Sequence, residues 1–506
     1  MMSSVPSVRA LDVLVIVVYM AALVYIGLRF SRRQSSTERY FVAKRSIPGW
    51  ATGLSLLATL ISSVTFIAYP GSAYDGDWSN LVPGLMTALV LLVVAGVIIP
   101  FYRHAVGMSA YEYFGKRFGY PARIYSSIAY ALGHFSKMGF VFYLLALTVS
   151  GMTGWKTDNV IILVGAITVS YTLVGGIEAV IWADVVQGFV LWFGIAICLA
   201  FLLFLPAAGP AAVWHVAWSS HKISLGSLAP DFRRPTIPVL AIYGFFYYLQ
   251  RYTADQTIVQ RYLVAKSDRA ALRGIAIGSF LCIPVWTLFM LIGTLCWAFY
   301  KVTGETLPAH IAKADQVFPY FITTHVPAGL AGLFLAGLFG AAMANLSSDF
   351  NSLAAIAVED YYRVLRPLAS ERSRLRVAKV VVAVCGVLCV AVATALAHTN
   401  GTALSLWYTV SAVVAGGLVG LFVLAFLCPR AGGTAAWIGI AASIAFTGWA
   451  SGPWGFPLHN YMIGVIGHLV LLAVGYAASF LFPNRRKAGV ELTLWRWLRR
   501  TRVESQ

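Results

Sequence analysis

Residues 50–78 read WATGLSLLATLISSVTFIAYPGSAYDGDW, and the fold turns on how that stretch is read. It is apolar enough to enter a membrane, yet poor as one continuous helix. Ser62, Ser63 and Thr65 stand mid-span among β-branched neighbours, and Pro70 and Gly71 are expected to close it. In hydrocarbon every backbone N–H and C=O needs a partner inside the protein. Irregular backbone at membrane depth therefore survives only where it is buried in protein or faces a watery cavity. Interrupted membrane helices are how many secondary transporters build ion and solute sites, from freed carbonyls and half-helix ends. Small polar residues also serve plain helix packing in membranes, so the stretch alone leaves both uses open.

The composition around it removes most other classes. Of 506 residues, 59% are hydrophobic and 11% charged, where a soluble domain carries roughly 25% charge. This is the composition of an all-α polytopic membrane protein. The net charge of +18 does not point to nucleic acid, because the basic residues lie in short loops between apolar spans, as the positive-inside rule produces. Cys198, Cys282, Cys296, Cys385, Cys389 and Cys428 lie in apolar runs or at their ends, without metal-ligand or disulfide spacing. They read as small buried hydrophobes. The first apolar run is too long for a cleaved signal peptide and no A-x-A-like site follows it, so it is expected to remain a membrane helix.

Spans of ~20 apolar residues give about thirteen transmembrane helices. They lie near 11–30, 48–70, 80–101, 124–150, 159–176, 180–206, 237–259, 272–299, 323–358, 377–398, 405–428, 433–452 and 460–483. Alternate loops are basic: Arg29 to Arg45, Arg103 to Arg123, Arg261 to Arg273, Arg363 to Lys379, and the tail from Arg485. The intervening loops are poorer in Lys and Arg. The expectation is a plasma-membrane protein with its N-terminus outside and its C-terminus inside. The tail piece LTLWRWLRR, residues 492–500, suits either an anionic inner leaflet or an ordinary positive-inside anchor. Polar stretches near 207–236 and 300–322 are expected as outer caps. No GxxxxGK[ST] occurs and no soluble module is expected after the last span, so uphill transport would draw on an ion gradient. No obligate protein partner is signalled; the partners expected are a small-molecule substrate and the lipid bilayer.

Five blocks then carry a resemblance. They are residues 50–78, SAYEYFGKRFG (109–119), YTLVGGIEAVIWADVVQGFVL (171–191), DQTIVQRYLVAKS (255–267) and FNSLAAIAVEDYYR (350–363). Together and in this order they resemble the sodium:solute symporter family, whose members carry sugars, proline, sialic acid and monocarboxylates. Residues 57–78 and ADVVQGF look most like the sialic-acid symporters. The resemblance implies a leucine-transporter-type 5+5 inverted repeat with halves at about 48–206 and 237–428. One extra helix and its loop would occupy 1–47, and two accessory helices with a basic tail 429–506.

The resemblance also implies roles. Sodium is a hard cation that takes oxygen ligands. The family's principal sodium site joins carbonyls of the broken helix to hydroxyls of the eighth core helix. Those carbonyls fall on Ala58 and Ile61, with a further one on Ala341. The hydroxyl pair falls on Ala344 and Asn345. Ala344 has no ligand to offer; Asn345 offers an amide oxygen. A second sodium site, present in some members, falls on Ser347, Ser348 and Asp184. Asp184 also stands on its own, because a carboxylate inside an apolar span marks a functional site by default; the alternative is a solvated helix cap. Asp349 is expected to compensate for Ala344, to pair with a cation, or to face water.

For the solute, Lys137 matches the position where sialic-acid symporters use an arginine on the substrate carboxylate. Arg251 aligns near the sugar symporters' aromatic gate. Each could instead snorkel, and Arg251 stands four residues before Asp255, within helical pairing reach. Ser62, Ser63, Thr65 and Asn80 complete the expected pocket, with Gly84 beside them and Tyr248 and Tyr252 stacking or gating; such aromatics are also common packing residues. Asn80 and Gly84 depart from the sialic-acid pattern. His134 is expected as a helix-packing hydrogen-bond partner, Glu178 as a cytoplasmic-loop residue near the ion exit, and Gly416, Gly417 and Gly420 as a small-residue packing face or a gate. The function read from all this is uptake of a small, anionic solute driven by one or two Na+ ions. Rivals are a proton-coupled carrier of the same fold and a non-transporting solute sensor. No enzyme is expected, since no nucleophile–base pair or metal set stands in the spans.

Overall fold

The computed structural model describes residues 9–31, 35–309, 311, 313–398, 417–452, 455–484 and 489–504. Among them the architecture is helical, with only two isolated bridges, Ile47–Ala265 and Ala431–Pro483. In chain order the helices are α1 (Ala10–Ser31), α2 (Thr37–Val42), α3 (Gly49–Leu60), α4 (Ser63–Asp75), α5 (Val82–Ala105), α6 (Glu112–Phe118), α7 (Tyr120–Thr153) and α8 (Thr157–Phe204). They continue as α9 (Gly209–Ser219), α10 (Ile237–Ala254), α11 (Gln256–Val264), α12 (Asp268–Thr303), α13 (Val317–His325), α14 (Leu330–Ile356), α15 (Arg363–Leu365) and α16 (Glu371–Ala397). A π-helical turn over Ala357–Tyr362 joins α14 to α15. The remaining helices are Leu418–Leu427, Gly433–Ala450, Tyr461–Leu481 and Leu494–Glu504.

The interruption in residues 50–78 falls earlier than expected. Ile61 and Ser62 are extended (φ −88°, ψ 121° and φ −118°, ψ 173°), and α3 and α4 meet at 58°. Pro70 and Gly71 do not close the span; both lie inside α4, which runs on to Asp75. Gly71 is there for closeness, since a Cβ would sit 2.0 Å from Oδ1 of Asp315. A second interruption was not expected. The span read as 237–259 splits at Asp255 (φ −97°, ψ 117°) into α10 and α11. Asp255 caps the new helix, its Oδ1 accepting the Thr257 N–H at 2.8 Å.

The span read as 323–358 starts at Leu330 instead, with α13 separate before it. Pro327 follows Val326, which is extended (φ −91°, ψ 133°) and ends α13, and α1 then meets the new helix start. Buried Asp12 accepts the N–H groups of Gly329 and Gly332, each at 2.7 Å, and so places a carboxylate at the positive end of α14. Helix α8 has 48 residues, about 72 Å at ~1.5 Å per residue, far beyond a hydrocarbon core of ~30 Å. It is two helices joined across a kink at Gly176, where φ is 59° and ψ −161° and an added Cβ would lie 2.8 Å from the Tyr40 ring.

Among the described residues, nine helices are long and apolar enough to cross a membrane, and the bent α3/α4 pair makes a tenth. Of the span read at 405–428, residues 405–416 lie outside the described residues, and Gly416 with them; Gly417 and Gly420 pack against Leu471 and the His468 carbonyl. All six cysteines are buried free thiols. Helix α14 is buried along nearly its whole length, between α8, α1, α7, α16 and α3.

Candidate functional site

Three clusters gather along α14, through its residues Asn345, Ser348 and Asp349, near the broken end of α3 and the break between α10 and α11. The first is a cage of carbonyls. The last turn of a helix leaves C=O groups without intrahelical partners, and Ala58 and Ile61 lie at the end of α3. Their oxygens converge with that of Ala341 on the Asn345 side chain. Nδ2 of Asn345 donates to Ile61 O at 2.8 Å, Ala341 O at 3.2 Å and Ala58 O at 3.5 Å. Asn345 was expected to offer its amide oxygen here. The structure turns the nitrogen inward, because acceptors on three sides can be met only by the donor end of an amide. Ala344 is fully buried and adds no oxygen beyond its backbone. As it stands, this donor set does not fit a metal ion.

The second cluster is built on Asp184 of α8, which is 0% exposed. Its Oδ2 accepts from Ser55 Oγ at 2.5 Å and from Arg261 Nη2 at 3.3 Å. The same Nη2 donates to Ser348 Oγ at 2.6 Å. Thr59 Oγ1 stands 3.4 Å from Ser348 Oγ and donates to Ser55 O at 2.7 Å; Ser347 Oγ donates to Ala344 O at 3.2 Å. The other carboxylate oxygen, Asp184 Oδ1, is buried without a hydrogen-bond partner among the described residues. An orphaned anionic oxygen among hydroxyls suits a hard cation, so these residues fit sodium. Arg261 corrects the loop reading. It is completely buried inside α11, and a buried guanidinium persists only when paired.

The third cluster is a row of alternating charge. On α7, His134 Nδ1 lies 2.7 Å from Asp349 Oδ1, and Lys137 Nζ reaches Asp349 Oδ2 at 2.7 Å. His134 Nε2 lies 3.3 Å from Asp255 Oδ2, which also pairs with Arg251. Tyr130 stacks on the His134 ring with centroids 3.9 Å apart. Asp349 therefore does not make good the hydroxyl missing at Ala344; its oxygens are engaged by Lys137 and His134. Both cations expected to hold an anionic solute are already paired, and Lys137, at 21% side-chain exposure against 10% for Arg251, is the more open.

The other expected pocket residues are held by contacts of their own. Ser62 and Thr65 cap α4, with Ser62 N donating to Thr65 Oγ1 at 3.4 Å, and Ser63 Oγ donates to Val141 O of α7 at 3.4 Å. Asn80 is exposed in a turn beyond α4 and donates to Ser72 Oγ at 2.6 Å. Gly84 is held by packing, as a Cβ would meet the Trp286 ring at 2.7 Å. Tyr248 lies against Trp286 with centroids 5.9 Å apart. Tyr252 is buried, its hydroxyl bonded to that of Ser279. Glu178 is buried rather than in a loop and pairs with Arg39 at 3.4 Å.

A family profile described as "Sodium:solute symporter family" matches residues 40–443. The chain belongs to the sodium:solute symporter family. Within it, the chain is 32% identical over 482 residues to the sodium/sialic acid symporter NanT of Aliivibrio fischeri, covering 94% of each protein. It is 30% identical to the sodium/sialic acid symporter SiaT of Proteus mirabilis, covering 94% of this chain and 95% of that one. A solved sodium-coupled sialic acid symporter, substrate-bound and outward-open, superposes with a TM-score of 0.87 at 30% identity, over 94% of this chain and 98% of that one. The transporter Mhp1, with a TM-score of 0.54 at 15% identity over 87% of this chain, shares the fold.

Three residues of this symporter-family chain escaped the sequence reading: Ser55, Thr59 and Arg261. A signal existed for the hydroxyls, because spacing of four puts Ser55 and Thr59 on one face of α3. For Arg261 there was none, since its pairing with Asp184 spans 77 positions.

Proposed function

We propose that this chain couples inward sodium flow to the uptake of a small organic anion, a sialic acid, another acid sugar or a monocarboxylate, by alternating access. The observation that carries this is the buried Asp184 Oδ1, which has no hydrogen-bond partner among the described residues and lies on a carboxylate set among hydroxyls. Sodium would be held by Asp184 with Ser347 and Ser348. The solute carboxylate would bind Lys137 by exchanging with Asp349, which keeps His134. Arg251, tied to Asp255, would shape the field of the pocket, and Ser62, Ser63 and Thr65 its floor. The names of the relatives, sodium/sialic acid symporters, support the same class.

The architecture in this reading has thirteen crossings: α1, α3/α4, α5, α7, two in α8, α10/α11, α12, α14, α16, the 405–428 span and the final pair. Both halves, 48–206 and 237–428, then open on a broken helix, which supports a 5+5 inverted repeat. Basic loops support an outer N-terminus and an inner C-terminus. The test is uptake into proteoliposomes of sialic acids, uronates, monocarboxylates, neutral sugars and proline, with an inward sodium gradient and then with choline in place of sodium. Sodium-driven accumulation of an acid is expected; accumulation of a neutral solute alone removes Lys137 from binding.

One observation favours a second reading. His134 lies between two carboxylates, its Nδ1 2.7 Å from Asp349 and its Nε2 3.3 Å from Asp255, with Lys137 Nζ 3.3 Å from the same Nδ1, a chain of polar groups along which a proton could be relayed. A proton-coupled carrier would show uptake that follows a pH gradient and ignores sodium.

A further inference from the structure

The carbonyl cage at the end of α3 looks like a cation site with its cation replaced. Three carbonyl oxygens, two from the interrupted helix and one from α14, point at a single atom, as they would around a hard cation. That atom is the Asn345 amide nitrogen. Its two N–H bonds can serve two acceptors well, which matches two shorter approaches and one long one of 3.5 Å. The position beside it, Ala344, carries no side-chain oxygen. Asn345 is 4% exposed, and its only described acceptors are these carbonyls. The contrast with the neighbouring cluster is direct. Among the described residues Asp184 Oδ1 meets no hydrogen-bond donor, while each cage oxygen lies within 3.5 Å of a neutral donor.

We propose that Asn345 is a tethered substitute for a cation at the Ala58–Ile61–Ala341 cage, so that this chain binds one sodium fewer than the carbonyl geometry would otherwise admit. Two consequences follow. The link between the broken end of α3 and α14 no longer depends on ion concentration, because a side chain of α14 makes it. Ion coupling is left to the Asp184 cluster, a clause that rests on the function proposed above. A cation at the cage would require the amide to turn over and give its oxygen. Without the cation, that would set four oxygens against one another.

The test is equilibrium binding of radioactive sodium to the purified full-length protein in detergent. Wild type is compared with the isosteric Asn345→Asp and with the double variant Ala344→Ser/Asn345→Ser. Asn345→Asp puts an anion where the donor was; the double variant supplies two hydroxyls. Each variant is expected to bind one more sodium per chain than wild type, and its thermal unfolding temperature should rise more steeply with sodium, as mass action requires. Equal or lower binding in a variant that elutes as a single folded species overturns the proposal, as does loss of one bound sodium in Asn345→Ala. The increment judges Asn345. The wild-type value separately judges sodium coupling, which falls if wild type binds none.

Discussion

Lys137 and Asp349 show how a membrane protein can hold charge ready without leaving it bare. A charged side chain in hydrocarbon is costly alone, so each cation of the row keeps a carboxylate, and a ligand binds by exchanging partners. Charge-assisted hydrogen bonds contribute ~1.5–3 kcal/mol. Lys137→Ala should therefore weaken uptake of an acidic substrate by about ten- to a hundredfold at unchanged expression, as initial rates in proteoliposomes would show. Normal uptake by that variant would refute the role of Lys137. Ser348 offers a gentler probe of the ion cluster than Asp184, whose removal would strand the buried Arg261 charge at a cost of ~3–5 kcal/mol. Ser348→Ala should raise the sodium concentration for half-maximal uptake by about tenfold, the equivalent of one lost ligand worth ~1.4 kcal/mol. An unchanged sodium dependence would place the ion elsewhere.

At the scale of elements, the helix ends position the chemistry. Two interruptions, at Ile61–Ser62 and at Asp255, bring carbonyls from the end of α3 to Asn345 of α14 and a capping carboxylate to His134 of α7. The kink in α8 is held differently, by a glycine against an aromatic ring. Gly176 lies in a region of backbone space that only glycine enters freely, and strain there costs of order 1–3 kcal/mol. The Tyr40 ring lies 2.8 Å from where a Cβ would be, and its hydroxyl donates to the carbonyls of Thr172 and Leu173 at 3.2 Å. Gly176→Ala should lower the thermal unfolding temperature by several degrees in a detergent melt. No change would mean that α8 can bend without Tyr40 in place. Asp12→Ala removes the acceptor for two N–H groups at the start of α14 and should cost about 0.5–2 kcal/mol, the value of a helix cap, read in the same melt.

For the whole molecule, the arrangement of charge gives a simple expectation. Arginines make structural ties: buried Arg261 to Asp184, half-buried Arg123 to Asp360, and buried Arg117 to the carbonyls of Ala425 and Cys428. The other cations leave alternate loops basic, so a C-terminal fusion to green fluorescent protein should fluoresce in cells and a C-terminal alkaline phosphatase fusion should be inactive. The reverse pattern would invert the topology.

Sequence alone determined the membrane class, most of the crossings, the family and the importance of residues 50–78, because hydropathy and block order are properties of local composition. Asp184 was legible for the same reason: a carboxylate in an apolar run stands out without any knowledge of its neighbours. Tertiary structure decided what each polar group touches. Nothing near Arg261 in the chain distinguishes a loop cation from a buried one, since Asp184 and Ser348 reach it from 77 and 87 positions away. Nothing near Asn345 says which end of its amide faces inward, since Ile61 lies 284 positions away. Hydrophobic pattern places a helix in the bilayer through the sum of many small transfer energies. A polar site is set by a few short contacts between remote residues, and those exist only once the helices have packed.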